Sequence, residues 1–380
     1  MIPYGRQHVD EADTQAVVEV LRSALITQGP VADKFEHAIA SYVQANYAVS
    51  VCNATAALHL ACRALELGAG DILWTSPNTF LASANCALYC GASVDFVDID
   101  PVTYNMCPNA LEEKLREAKK NGRLPKIVIP VHFSGASCDM EKIGRLAKQY
   151  GFFVIEDASH AIGADYQEKK VGSCLYSDIA VFSFHPVKII TSGEGGMAVT
   201  NQRGLYEKIK LLRSHAMTRN QEHMDKPSEG IWYYQQIALG YNYRLTDIQA
   251  ALGLSQLKKL DFFVNRRRQL AKRYYEKLKN LPIQLPSEQQ LASSSWHLYV
   301  IQVDNRAHVF DELRKAGIGV HVHYIPVHTQ PYYRSMGFKI GDFPNAERYY
   351  SKAITLPLFY ELSDEQQNFI IEALSKILCD

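Results

Sequence analysis

Short apolar runs alternate with amphipathic stretches through the first half of the chain. Tyr47–Cys52 (YAVSVC), Ile72–Ser76 (ILWTS), Ser93–Asp100 (SVDFVDID), Lys126–Phe133 (KIVIPVHF), Phe152–Asp157 (FFVIED) and Asp178–Phe184 (DIAVFSF) are rich in β-branched and aromatic residues and read as strands. Between the first five lie ATAALHLACRALELG, NTFLASANCALYCG, NALEEKLREAKKNG and DMEKIGRLAKQYG, with apolar residues at three- and four-residue spacing, the signature of helices packed on one face. This alternation predicts an α/β fold, a mostly parallel sheet covered by helices on both faces. A change follows at about Tyr243. A long charge-laced stretch, LTDIQAALGLSQLKKLDFFVNRRRQLAKRYYEKLKNL, predicts two helices bridging to a second unit. That unit reads as strand (from Trp296), helix (HVFDELRKAG), strand (IGVHVHY, Ile318–Tyr324) and a last helix opened by the capping box Ser363-Asp-Glu-Gln366. We therefore expect a large domain over 1–245 and a small α+β domain over 246–380.

Charge narrows the partners. The 380 residues carry 40 basic and 40 acidic side chains, so no basic surplus points to nucleic acid or to an anionic membrane. No segment approaches the roughly 18 apolar residues of a membrane span, and the start, MIPYGRQHVDEADTQ, lacks a signal peptide's basic and apolar regions. A cytoplasmic protein with a small-molecule site is expected. The 8 cysteines are scattered without a CxxC pair, which speaks against a metal site and against a disulfide framework.

Candidate chemistry collects just after strands. Lys188 follows the DIAVFSF run within SFHPVKIITSGEGG, before a Gly-rich turn and a further strand, MAVT. There it is either a desolvated nucleophilic amine or a plain solvated loop lysine. Asn53-Ala54-Thr55-Ala56-Ala57 spans a strand-to-helix turn whose free amides and dipole suit a phosphate, the alternative being an ordinary N-cap at Asn53 or Thr55. FFVIED ends in two carboxylates followed by Ala158, Ser159 and His160; Asp157 is a charge needing a cationic partner or an N-cap. Asn78-Thr79-Phe80 starts another helix and brings an aromatic ring to the same sheet end, as a stacking plate or as core. Lysine, carboxylate, phosphate cradle and aromatic plate together are the parts that hold pyridoxal phosphate.

The markers ITQGP (Ile26–Pro30), NATAALHLA, SPNTF, PVHFSG, IEDASHAIGA, FSFHPVKIITSGEGG and YNYRLTDIQAALG (Tyr241–Gly253) resemble those of the DegT/DnrJ/EryC1/StrS sugar aminotransferases along essentially the whole chain. That resemblance implies the fold-type I architecture of aspartate aminotransferase, with a mostly parallel seven-stranded sheet and pyridoxal 5'-phosphate as cofactor. It implies that Lys188 is the Schiff-base lysine, Asp157 the partner of the pyridine nitrogen and Phe80 its stacking ring. Thr55, Ala56 and Ser183 would take the phosphate, with Asn242 reaching it from the neighbouring subunit of a homodimer with shared sites. His160 stands where many relatives carry glutamine near the phenolic oxygen. With the Pro-Val-Lys context and the IPYGRQHVDEAD start, it resembles the pseudaminic acid branch. Members of that branch move an amino group from L-glutamate, releasing 2-oxoglutarate, to C4 of a UDP-linked 4-keto-6-deoxy-N-acetyl-hexosamine. The product is UDP-4-amino-4,6-dideoxy-N-acetyl-β-L-altrosamine. Substrate contacts are implied for Tyr4, for Ile26, Thr27, Gln28 and Gly29, and for His323 and Tyr324 in the His321-Val322-His323-Tyr324 segment; Arg219 and Arg244 are candidates for the diphosphate, or simply structural arginines. Other readings are an aminotransferase acting at C3 or on a dTDP- or GDP-linked sugar, and a non-enzymatic regulator on the same fold. A sugar dehydratase is disfavoured by Lys188, since such relatives carry histidine there.

Overall fold

The computed structural model describes residues 1–379, with the side chains of residues 289, 291 and 292 left aside. Helices α1 (Glu11–Leu21) and α2 (Pro30–Val43) precede β1 (Tyr47–Val51), α3 (Ala54–Ala64), β2 (Ile72–Thr75), α4 (Ala82–Tyr89), β3 (Ser93–Phe96) and α5 (Pro108–Lys120). Next come β4 (Ile127–Ile129), α6 (Met140–Tyr150), β5 (Phe153–Asp157), β6 (Ile179–Ser183), β7 (Gly196–Thr200) and α7 (Arg203–Arg213). The chain continues through α8 (Asp247–Leu257), α9 (Leu260–Leu278), β8 (Tyr299–Gln302), α10 (Arg306–Lys315), α11 (Pro344–Lys352), β9 (Ala353–Leu356) and α12 (Asp364–Cys379).

Strands β1 to β7 form one seven-stranded sheet in the order β1-β7-β6-β5-β4-β2-β3, in which β7 alone runs against its neighbours. Both faces are covered, so the strands are apolar throughout rather than alternating: all five residues of β6 and of β7 are buried. One face packs on α3, α4 and α7; α2 covers the other with Phe35, Ile39 and Val43 fully buried, each contributing roughly 1.5–3 kcal/mol. Register decides where the chemistry collects. Val51, Gly196 and Ser183 lie side by side across β1, β7 and β6, and Asp157 of β5 pairs with Val181 of β6. The turns that follow β1, β5 and β6 therefore open at one end of the sheet.

A second core holds Leu270, Tyr274, Trp296, Tyr299, Ile354 and Leu374 between α9, α10 and α12 and the antiparallel pair β8–β9. Arg267 of α9, 2 % exposed, ties that helix to the segments before β8 and after β9 by donating from Nη1 to the carbonyls of Trp296, His297 and Leu358 at 3.2, 3.3 and 2.8 Å. Its charge is met by backbone dipoles, and burial lowers its pKa to about 10.

Four expectations need correction. Ile318–Tyr324 is not a strand: it makes single bridges, Ile318 to Ile2 and His321 to Thr355, because β8 pairs with β9, a strand unread in the sequence. Helix α4 starts at Ala82 rather than at Asn78, whose side chain instead accepts the Tyr324 amide at 3.3 Å and donates to the Tyr104 carbonyl. Strand β4 stops before Pro130, and β3 stops at Phe96. The capping box at the start of α12 forms as expected, with Ser363 and Gln366 exchanging hydrogen bonds at 3.1 Å.

Candidate active site

Asn53 follows β1 in extended conformation and its Oδ1 accepts the Ala56 amide at 2.9 Å. The cap satisfies that amide and leaves the first amides of α3, those of Ala54 and Thr55, without an intrahelical acceptor. Strand β7 presses against this turn so closely that a Cβ at Gly196 would lie 2.5 Å from the Asn53 carbonyl carbon, so only glycine fits. Thr55 and Ser183 both face the cavity beyond, whereas Ala56 is buried, spends its amide on the cap and does not line it.

Alternation along β5 sends its two carboxylates to opposite faces. Glu156 meets buried His132 at 2.7 Å, a structural pair. Asp157 forms the floor of the cavity, 5 % exposed. Its Oδ1 accepts the Ser159 amide at 3.1 Å and its Oδ2 accepts the Ser83 hydroxyl at 2.6 Å. Since Ser83 gives its proton to the carboxylate, the Thr79 hydroxyl 2.8 Å away is the donor to Ser83. Asp157 is thus a strand residue fixed by hydrogen bonds and not the cap of a helix.

Lys188 lies in the loop between β6 and β7. The Phe184 carbonyl accepts from the Ser192 amide and the Thr191 hydroxyl at 3.0 and 2.9 Å, tightening the loop, and the Lys188 amide reaches the His185 carbonyl at 2.9 Å. Burial of the ammonium lowers the Lys188 pKa to about 8, with the Asp157 charge opposing the shift. Only the neutral amine attacks a carbonyl. The rate at which cofactor-free protein captures pyridoxal phosphate is therefore expected to rise as pH increases through about 8 and to level off above it, an ordinary lysine levelling off near 10.5; stopped-flow absorbance against pH measures this.

The cavity, about 540 Å³, brings together Tyr4, Thr55, Phe80, Asp157, His160, Ser183, Lys188, His323 and Tyr324 of the residues expected from the sequence. Tyr4, His321 and His323 form a ring cluster with centroids 4.7–5.4 Å apart. His323 is held by Thr355 Oγ1 at 2.8 Å, and burial pushes its pKa down to about 3, helped by His321 and Lys188. His297 was not foreseen. Its ring lies 4.4 Å from that of His160, Nδ1 has no partner among the described residues, and burial keeps it neutral, its pKa well below the ordinary range. Ser83 was missed as well, although its i, i+4 spacing from Thr79 is a legible sign.

Other expected residues lie outside this cavity. Asn242 pairs with Ser214 in a single bridge, Arg244 pairs with Val51, and Thr27 pairs with Thr246. The Ile26 carbonyl accepts the Asp247 amide at 3.0 Å, and Asp247, fully buried, accepts the amides of Gly29, Val31 and Ala32 at 2.6, 2.7 and 3.0 Å. Gln28 takes a left-handed conformation, φ 54°. Neither Arg219 nor Arg244 lines the cavity.

A half-buried amine of lowered pKa, a fixed carboxylate, free helix amides beside two hydroxyls and an exposed ring match the imine, pyridinium, phosphate and π face of pyridoxal phosphate. The donor set fits that cofactor.

The family model described as the DegT/DnrJ/EryC1/StrS aminotransferase family matches residues 7–375. A UDP-4-amino-4,6-dideoxy-N-acetyl-beta-L-altrosamine transaminase of Campylobacter jejuni subsp. jejuni is 38% identical over 388 residues, covering 100% of this chain and 98% of the relative. Among solved structures, Helicobacter pylori PseC, an aminotransferase involved in the biosynthesis of pseudoaminic acid, superposes with a TM-score of 0.91 at 33% identity over 99% of both chains. The PLP form of Streptococcus pneumoniae Spr1654, described as a sugar aminotransferase, gives 0.89 at 31% identity over 99% and 98%.

Proposed function

We propose, since the chain belongs to the DegT/DnrJ/EryC1/StrS aminotransferase family, that it carries an amino group from L-glutamate to C4 of a UDP-linked 4-keto-6-deoxy-N-acetyl-hexosamine. The product on this reading is UDP-4-amino-4,6-dideoxy-N-acetyl-β-L-altrosamine, with 2-oxoglutarate released. The protein is a pyridoxal-phosphate-dependent sugar aminotransferase; the choice of donor and acceptor is our reading. The observation that carries it is the 38% identity, over the full chain, to the altrosamine transaminase of Campylobacter jejuni.

Bound pyridoxal phosphate supplies an electron sink that makes the proton on the carbon beside nitrogen removable. The chain supplies the rest. The Lys188 amine takes the proton from Cα of glutamate and, in the second half, delivers one to C4 of the sugar from a single face, which fixes the new configuration. The Asp157 carboxylate, oriented by Ser83 and Ser159, holds a proton on the ring nitrogen. The Thr55 and Ser183 hydroxyls and the free amides of α3 would hold the phosphate, Phe80 would cover the ring face, and His160 would stand near the phenolic oxygen. Tyr4 and His323 offer neutral partners suited to an N-acetyl sugar. Asn242 and Ile26–Gly29, which do not line their own cavity, complete the cavity of a second protomer in a homodimer with two shared sites. All 8 cysteines are free thiols, in keeping with the reducing cytoplasm.

Absorbance tests this reading. A band at roughly 400–430 nm from lysine-bound cofactor is expected to bleach with glutamate and to return with the UDP-linked 4-keto sugar. If it bleaches but returns only with a dTDP- or GDP-linked or a 3-keto sugar, the substrate assignment is wrong and the aminotransferase stands.

A further inference from the structure

We propose that Tyr324 is the hydrogen-bond donor that activates the acceptor sugar's carbonyl oxygen, and that His160 acts through it as a positioning residue by fixing the direction of its hydroxyl proton. This rests on the function proposed above. The Ser134 amide points at His160 Nδ1 from 3.3 Å, and Tyr324 Oη lies 3.0 Å from His160 Nε2. Ser134 is fixed in a left-handed turn, φ 63°, by its own hydroxyl, which donates to the Leu298 carbonyl at 2.6 Å. An Nδ1 that accepts an amide proton carries none itself. His160 is buried, and burial together with the nearby Lys188 ammonium and the His323 ring keeps it neutral, its pKa well below the usual value. Its one proton therefore sits on Nε2 and is donated to Tyr324 Oη. The phenol's own proton must turn away from His160, and Tyr324 lines the cavity.

The surroundings hold this orientation. The Tyr324 amide donates to Asn78 Oδ1 at 3.3 Å, and the preceding carbonyl, that of His323, accepts the Tyr349 hydroxyl at 2.7 Å. Phe80 and Phe133 flank the phenol ring at 6.3 Å each. Burial raises the Tyr324 pKa, so the hydroxyl stays protonated across the working range. It stands beside Phe80 and lines the same cavity as Lys188, so its hydroxyl is open to a ketone that enters there.

The chemistry has a use for one neutral donor. In the sugar half-reaction C4 would gain a C–N bond to the amine and lose its C=O bond, the oxygen leaving as water with the two protons that the nitrogen gives up. Tyr324 hands a proton to the oxygen and recovers one from the nitrogen, ending as it began. An α-keto acid carbonyl is already activated by its neighbouring carboxylate. A ring ketone lacks that help, so the donor matters more in the sugar half-reaction.

Tyr324→Phe removes a single oxygen. The sugar half-reaction, followed as return of the absorbance band, is expected to slow by about 10²-fold, and the glutamate half-reaction by less than about tenfold. If the two slow by factors within about tenfold of each other, or if neither slows, the proposal is wrong. A second readout needs no cofactor: ¹⁵N shifts of cofactor-free protein, with the His160 signal assigned by its loss in His160→Gln, should report a proton on Nε2. A proton on Nδ1 overturns the proposal. Should wild-type protein fail to recover its band with the UDP-linked sugar, the substrate reading falls; the tautomer, and the same rate ratio taken with whichever keto sugar restores the band, still decide the role of Tyr324.

Discussion

Lys188→Ala protein is expected to fold and to show no turnover, with kcat lower by at least about 10⁴-fold and no band from lysine-bound cofactor. The physical basis is that one amine does three jobs: it binds the cofactor covalently, takes the proton from Cα of glutamate and returns one to C4 of the sugar. No neighbour substitutes. His160, His297 and His323 are held neutral by burial and are poor proton acceptors, and Asp157 is occupied by Ser83 and Ser159. Removing a half-buried ammonium is not expected to destabilise the fold, since its partial desolvation is a cost in the native state. Thermal melting and single-turnover absorbance test both halves of the prediction, and turnover within a hundredfold of wild type would refute the assignment.

The second large effect is expected from Asp157→Asn, a loss of about 10³-fold in both half-reactions, equivalent to about 4 kcal/mol of barrier. Asparagine keeps the shape but a single oxygen, so it accepts from Ser83 or from Ser159 and not from both, which the carboxylate serves with Oδ2 and Oδ1. It cannot hold a positive charge on the ring nitrogen, and its amide donates where the carboxylate accepted, favouring the unprotonated pyridine. The band should persist, because Lys188 remains, while its bleaching by glutamate slows. Unchanged bleaching kinetics would remove Asp157 from the cofactor.

Much of this was legible because parallel α/β sheets announce themselves locally. FFVIED and DIAVFSF each carry enough apolar residues to read as buried strands, and the residue after such a strand falls at the chemical end of the sheet. Lys188, Asp157 and Thr55 were visible for that reason, and Ser183 through the family resemblance. Hidden residues depend on contacts far along the chain. β9 is four residues long, with no turn signal of its own, and β8 chose it over the more strand-like Ile318–Tyr324. His297 sits in an apolar run that reads as plain core, and it reaches the cavity because Arg267 holds its carbonyl from thirty residues away. Ser134 gives no sign in sequence that it adopts a left-handed turn. The bounds of α4 failed similarly: Asn78 and Thr79 look like caps, but Tyr324 and Ser83 claim their side chains.

The carboxylate of Asp247 has a consequence for motion. It lies in the first turn of α8 and receives amides from Gly29, at the entry to α2, and from Val31 and Ala32 within it. Those three amide protons can exchange with solvent only when Asp247 lets go, so residues 26–32 and the start of α8 open as one cooperative unit and not as a loop fraying from a stable helix. A contact that quiets the segment from outside slows hydrogen exchange at the head of α8 too, so occupancy at one place is written into protection at the other.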